Sequence, residues 1–434
     1  MKLLLRRGHV VDPANGVDRV ADVFIEKGSV ADLGKNLKVR GVKTIDLEGK
    51  IVVPGLIDMH VHLREPGRED EETIATGTAA AAAGGFTALL CMPNTQPVND
   101  NESVTRYIVE RAAAEGSGVR VFPAGAITKG SLGKELAEIG EMVRAGARAI
   151  TDDGRPVQNS QVMRRAMEYS RLYDVPVIDH CEDLDLGAKG VMNEGAVSTR
   201  LGLRGLSRSA EDAQVARDII LAELTGARAH IAHISTAGAV EMVRRAKGHK
   251  ISVTAEVTPH HFTLTDEAVE GYDTNFKMAP PLRAREDVEA VISGLEDGTI
   301  DCIASDHAPH NSNEKMLEFD HAPFGILGLE TSVSLVLDRL VHTGKISWSR
   351  MVELMSTRPA QILRIPAGTL TAGAAADVTV IDPDLTHVVD INLFQSRSRN
   401  SPFHGWKLRG RAVMTIVGGR VIWKIGDWRL GSGD

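Results

Sequence analysis

Eight short apolar runs, each followed by a helix-like stretch, recur through the middle of this chain. They end near His62, Met92, Ala126, Asp153, His180, His233, Val257 and Asp306. Short apolar runs bounded by turn signals read as buried strands. Strands that alternate with helices read as βα units on a parallel sheet. The intervening segments are alanine-rich or amphipathic. Thr73 to Ala83 closes on Gly84-Gly85, a helix C-terminus, and Ser103 to Ala114 ends before Glu115-Gly116. Ala210 to Leu224 carries Val215, Ile219, Ile220 and Leu224 at helical spacing and stops at Thr225-Gly226. Eight such units over about 250 residues are the size of an α/β fold of the (β/α)8 TIM-like barrel type.

The two ends of the chain have a different texture. Near the start, Asn15-Gly16 and Lys27-Gly28 are turn dipeptides on either side of the mostly apolar run Val20 to Ile25. Near the end, Ala376 to Asp382 reads as a strand, and Val413 to Ile422 as a strand pair joined by Gly418-Gly419. Similar texture predicts one small composite β-sandwich domain formed by residues 1–53 and 366–434. The barrel, residues 54–365, would be inserted between its halves.

The polar residues at the ends of the strand-like runs suggest chemistry. In Asp58-Met59-His60-Val61-His62 two histidines alternate along a strand, so they share a face. Further on come Thr151-Asp152-Asp153-Gly154, Asp179-His180-Cys181-Glu182-Asp183, His233-Ile234-Ser235-Thr236 and Ala304-Ser305-Asp306-His307-Ala308-Pro309-His310. Active sites of parallel barrels lie at the C-terminal strand ends, where all of these fall. A lone strand histidine is more often a satisfied core residue than a ligand. His60, His62, Asp153, His180, His233 and Asp306, spread over five strand ends, are hard to explain that way. Imidazole and carboxylate are zinc donors, and six of them exceed the need of one four-coordinate ion, so two metals are expected. Spacing does not choose between Asp152 and Asp153. His233 is preferred to His230, which lies three residues earlier and is expected on the other face as a packing residue. His260 and His261 are read as packing or supporting groups.

Charged residues make up 25% of the chain and the net charge is −8, which gives no support for nucleic acid or an anionic membrane as partner. The apolar run in Met1 to Arg7 is far too short for a signal peptide, and no later run approaches a membrane span. Three cysteines, Cys91, Cys181 and Cys302, are an odd and sparse set. They argue against a disulfide framework and for a reducing cytoplasm, with each cysteine a small buried hydrophobe.

Asp58-Met59-His60-Val61-His62-Leu63-Arg64-Glu65-Pro66, and Ala304 to His310 followed by Lys315, resemble the cyclic amidohydrolases and, among them, the dihydroorotases. Cys91-Met92-Pro93-Asn94-Thr95 and Asp179 to Asp183 strengthen the resemblance, which runs nearly end to end. The Asp153 pattern looks like the bacterial type that uses an aspartate where hydantoinases use a carboxylated lysine. The resemblance implies zinc held by His60, His62, Asp153, His180, His233 and Asp306, with Asp153 bridging two ions. It implies zinc-dependent, reversible closure of N-carbamoyl-L-aspartate to L-dihydroorotate plus water, in pyrimidine biosynthesis. A metal lowers the pKa of bound water from about 16 to near 7, which gives a nucleophile at neutral pH. Asp306, at the site and before a polar loop, is the candidate to pass a proton to the leaving nitrogen.

The substrate carries a carboxylate outside its ring. Arg64, two residues past His62, offers a guanidinium fork for it, with Asn94 and His310 as further donors. The implied contacts also include His62, Leu63 and the backbone of Phe324-Gly325. Similar enzymes carry Asn-Pro-Pro-Leu-Arg where this chain has Ala279-Pro280-Pro281-Leu282-Arg283, so Ala279 leaves only backbone groups there. Residues 308–320 read as a mobile polar lid. A hydantoinase, dihydropyrimidinase or allantoinase acts on a neutral ring and would leave the Arg64–Asn94–His310 cradle without purpose. A dead homologue serving as a scaffold would be expected to have lost ligands. The expected assembly is a homodimer, with room for association with aspartate transcarbamoylase.

Overall fold

The computed structural model describes residues 2–426 and 430–432. At its centre are eight parallel strands in chain order: Leu56–Val61, Phe86–Cys91, Arg120–Gly125, Ala149–Ile150, Val177–Asp179, Ala229–Ile231, Val253–Val257 and Cys302–Ile303. The ring is closed just past the eighth strand. Val61 bridges His307, His62 N donates to His307 O at 2.9 Å, and Ser305 N donates to Asp58 Oδ1 at 3.0 Å. Alternation sorts the strand residues. Ile57, Met59, Ala88, Leu90, Met92, Ala124, Ala149, Ile178, Ala232 and Cys302 fill the inside, and Leu56, Leu89, Ile231 and Val257 pack outward under the helices.

The helices follow from their caps. The Thr73 hydroxyl accepts from Thr76 N at the head of Ile74–Gly84, which ends on Gly85 with φ 96°. Asn101 caps Glu102–Glu115 by accepting from Ser103 N and Val104 N, and Ser207 caps Arg208–Thr225.

Both ends of the chain build a second, sheet-rich domain. Ile51–Pro54 pairs antiparallel with Val378–Val388, Val52 opposite Val380. Lys407–Val417 and Arg420–Lys424 form the hairpin turned by Gly418-Gly419. Lys2–Asp12 is shared: its first half lies beside Lys43–Asp46 and its second beside Ile51–Val52. These strands close over one apolar core that includes Leu5, Val23, Val52, Val380 and Ile416. Polar ties join it to the barrel, among them Arg120 to Asp377 at 2.9 Å and Thr415 Oγ1 to Ala82 O at 2.7 Å. Among the described residues no helix is long and apolar enough to cross a membrane.

Candidate functional site

Simple alternation does not bring His60 to the barrel mouth. Between Asp58 and Val61 the pairing with the second strand slips, so that three steps on one strand face two on the other, Leu89 to Cys91. This extra residue is a bulge. Met59 stays in the interior cluster and His60, its neighbour, also reaches the centre. Past the bulge His60 and His62 do share a face, with ring centroids 5.5 Å apart. Arg64, His233 and Asp306 have φ of 60°, 31° and 45°. Left-handed backbone at a residue with a side chain costs roughly 1–3 kcal/mol and persists where the surroundings impose it. Here it turns three polar side chains toward one cavity.

The structure brings all six metal-ligand candidates together. His60 Nε2 lies 3.3 Å from Asp153 Oδ1 and 3.5 Å from Asp306 Oδ1. His62 Nε2 lies 3.0 Å from Asp306 Oδ1 and 3.5 Å from Asp153 Oδ2. His233 Nε2 is 3.6 Å from Asp153 Oδ1 and 2.9 Å from His180 Nδ1. Two overlapping sets, His60–Asp153–His233 and His60–His62–Asp306, have their ligand atoms within 4.8 Å of one another. Of the aspartate pair, Asp153 faces the centre. Asp152 turns away and accepts from Ile127 N at 2.8 Å and Thr128 N at 3.1 Å.

The donor set fits a divalent cation. His60 Nε2 and Asp153 Oδ1 are buried without a hydrogen-bond partner. The outer nitrogens are held by acceptors: His60 Nδ1 lies 2.7 Å from Glu256 Oε1, and His62 Nδ1 lies 2.9 Å from Asn94 Oδ1. These acceptors take an Nδ1–H and leave Nε2 of both rings facing the centre, where a metal can meet it. Burial opposes charge on His60, yet Asp153 and Asp306 hold its imidazole well above the usual histidine range. Burial pushes both carboxylates up, and the surrounding imidazoles, His60 first, hold Asp153 well below and Asp306 below the usual carboxylate range. The pair of carboxylates thus takes up positive charge, from protons or from a metal.

A cavity of about 440 Å³ opens over this centre, lined by His62, Arg64, Asn94, Asp153, His180, His233, Ala279, Asp306, His310 and Phe324 among others. Arg64 is anchored by Pro309 O at 3.1 Å and by Glu71 at 3.1 Å. His310 stands 2.8 Å from Glu71 Oε1 and 2.8 Å from Phe324 O. Arg64 Nη1 and Asn94 Nδ2 make no hydrogen bond among the described residues, so both can donate into the cavity. Leu63 and Gly325 do not line it. Leu63 is buried against Gly77. Gly325 N donates to Lys277 O, and a Cβ there would lie 2.7 Å from the His310 ring, so the approach requires glycine. Residues 308–320 include one helical turn, Ser312–Lys315, and Lys315 Nζ ties the segment to Pro323 O at 2.9 Å and Gly325 O at 3.1 Å.

Several functional groups escaped the sequence reading. Glu256 holds His60 with one oxygen and His230 Nε2, at 3.2 Å, with the other. His230 is therefore on the inner side, not the far face expected for it, because the sharp turn at His233 breaks the alternation between them. A carboxylate inside the apolar run Val253 to Val257 was the available signal. Glu71, the carboxylate partner of Arg64, carried none. His260 has no partner for Nε2, and burial pushes it down to about 3. His261 bonds Thr258 Oγ1 at 2.7 Å and Pro280 O at 2.9 Å. All three cysteines are buried and free.

A family model described as Dihydro-orotase-like matches residues 49–239. A dihydroorotase of Geobacter metallireducens is 56% identical over 98% of this chain and 100% of its own length. One of Pelotomaculum thermopropionicum is 57% identical over 97% of this chain and 98% of its own length. Among solved structures, the L-hydantoinase of Arthrobacter aurescens superposes with a TM-score of 0.87 at 24% identity, covering 100% of this chain and 98% of the other. The dihydropyrimidinase of Brevibacillus agri gives 0.87 at 23% identity, covering 100% and 97%. At that identity the likeness concerns the fold.

Proposed function

This chain belongs to the dihydroorotase family and is a cyclic-amide hydrolase, and on that premise we propose how its residues interconvert L-dihydroorotate and N-carbamoyl-L-aspartate. The observation that carries the reading is one cavity with two kinds of wall: five of the six candidate metal ligands on its floor, with His60 buried against Asp153 and Asp306, and Arg64, Asn94 and His310 beside them. Zinc is the proposed metal, two ions per chain, which His60, His62, Asp153, His180, His233 and Asp306 would hold. When bound, such ions supply Lewis acidity and lower the pKa of water.

The remaining steps fall to the chain itself. Arg64 and Asn94 grip the exocyclic carboxylate and, with His310, orient the ring so that its amide carbonyl faces the floor. Asp306 is held in its ionised form and takes a proton from the attacking water. A C–O bond forms, the ring C–N bond breaks, and Asp306 returns the proton to the leaving nitrogen. In the biosynthetic direction the order reverses and water is lost. A neutral ring gives the guanidinium of Arg64 nothing to hold, which disfavours a hydantoinase or allantoinase reading. Full retention of the ligand set disfavours a dead scaffold.

The decisive assay offers the purified protein dihydroorotate, carbamoyl-aspartate, hydantoin and allantoin, with metal analysis of the same sample. Ring opening of the neutral compounds alone would overturn the assignment. Asp306→Ala is expected to abolish turnover while part of the metal stays bound, and retained activity would remove Asp306 as proton carrier. A homodimer is also proposed, supported by exposed Ile220 and Leu224 on one face of Arg208–Thr225; a monomer by sedimentation would refute it. Association with aspartate transcarbamoylase is proposed as a contact alongside catalysis, to be read by co-sedimentation. A reducing cytoplasm is the proposed location, supported by the three free thiols and testable by cell fractionation.

A further inference from the structure

Between its last long strands, the sheet-rich domain sends out a polar segment, residues 394–401, that crosses to the barrel mouth. Several of its polar groups are tied to the barrel. Gln395 N and Ser396 N donate to Glu330 Oε1 at 2.8 and 3.1 Å. Ser396 Oγ and Arg397 N donate to the two oxygens of Glu72 at 2.5 and 3.1 Å. Glu72 also faces His307 Nε2 at 3.3 Å, next to Asp306. Ser398 Oγ donates to Glu71 O at 2.7 Å, and Glu71 is the carboxylate that pairs with Arg64 and His310.

Asn400 makes the tightest junction. It is buried, and its amide meets two pieces of the eighth-strand loop at once. Nδ2 donates to Ala308 O at 2.9 Å and to Gly325 O at 3.1 Å, while Oδ1 accepts from His310 N at 3.0 Å. Its own carbonyl accepts from Leu327 N at 3.0 Å. Two carbonyls on one side and an N–H on the other leave one amide orientation. Only a side chain with two donors and an acceptor on one short stem satisfies all three.

We propose that segment 394–401 is a working part of the substrate site, with Asn400 as the positioning residue that sets His310 against Gly325 and so shapes the carboxylate cradle. The cradle is then assembled from two domains: Arg64 and His310 come from the barrel, and the spacing between them is imposed by the sheet-rich domain. The proposal rests on the dihydroorotase reading of the same cavity. A device that orients without touching the reacting atoms should govern substrate affinity more than turnover.

Asn400→Asp tests this on the full-length enzyme, since it keeps the shape but sets a carboxylate oxygen against Ala308 O and Gly325 O. Asn400→Ser removes the reach without adding charge and serves if the first variant folds poorly. Each should raise KM for dihydroorotate about tenfold or more through loss of buried hydrogen bonds, with kcat nearly kept and metal content unchanged. Amide hydrogen exchange should speed up over residues 308–327 and nowhere else in the barrel. Unchanged KM and exchange in both variants would overturn the proposal, as would a parallel loss of kcat and melting temperature. Wild-type protein that leaves dihydroorotate untouched would strike the dihydroorotase reading instead, and the exchange measurement then decides the positioning role by itself.

Discussion

Arg64 lies two residues past His62, but its backbone has left the strand, with φ 60°, and Glu71 neutralises it from behind. Charge-assisted hydrogen bonds contribute about 1.5–3 kcal/mol, so Arg64→Ala should lower kcat/KM for dihydroorotate roughly 10- to 100-fold. A value equal to wild type in steady-state assays would remove the cradle. Glu256 acts one residue further out. Replacing a partner that fixes a ligand histidine typically weakens metal affinity 10- to 100-fold, and Glu256→Gln should do so in a competition titration against a chelator. Burial opposes ionisation of Glu256, yet His230 and His60 hold it down at about 2, below its ordinary 4.5. Its stabilising contribution is therefore complete above pH 4.5 and fades as pH falls toward 2. The residue types were legible in the sequence at His60, His62 and Asp306. Spacing alone left Asp152 and Asp153 equal and only the resemblance picked Asp153, because two adjacent carboxylates differ only in which backbone amides wait on each side.

At the scale of elements, the helices and the number of barrel strands could be read from periodicity and turn residues. Gly84-Gly85, Glu115-Gly116 and Thr225-Gly226 mark real helix ends. The bulge at Met59-His60 could not be read, since it is a mismatch between two strands and neither carries it alone. Within the segment expected as a mobile lid, the buried Lys315 bonds Pro323 O and Gly325 O. Burial, with Lys277 nearby, pushes the Lys315 ammonium down to about 7 from 10.5. Between those values the unfolded chain holds this proton more firmly than the native one, so stability rises with pH across the window and the contribution is absent below pH 7. Lys315→Met should remove that part of the slope when unfolding free energy is measured by denaturant at several pH values. A variant with the wild-type slope would show that Lys315 titrates normally.

For the whole molecule, five strand ends converge on one set of candidate ligands, so metal occupancy should be coupled to global stability. A ligand at a thousandfold excess over its Kd stabilises by roughly 4 kcal/mol. Chelation is therefore expected to lower the melting temperature by several degrees, and added zinc to restore it; identical melting curves would refute a shared metal centre. What this sequence determined by itself is local: apolar runs, helix caps, turn glycines, and ligand-type residues at strand ends. These depend on neighbours within a few positions. Only the tertiary structure decided the phase of His60 after the bulge, the inward turn of His233 and Asp306, and the pairing of the chain's two ends into one sheet. The same holds for the joining of His60 to Glu256, 196 residues away, and of His310 to Asn400, 90 residues away. The reason is physical. A short stretch sets which face a side chain takes relative to its neighbours, but which face is the inside depends on backbone and side-chain groups brought together from distant parts of the chain.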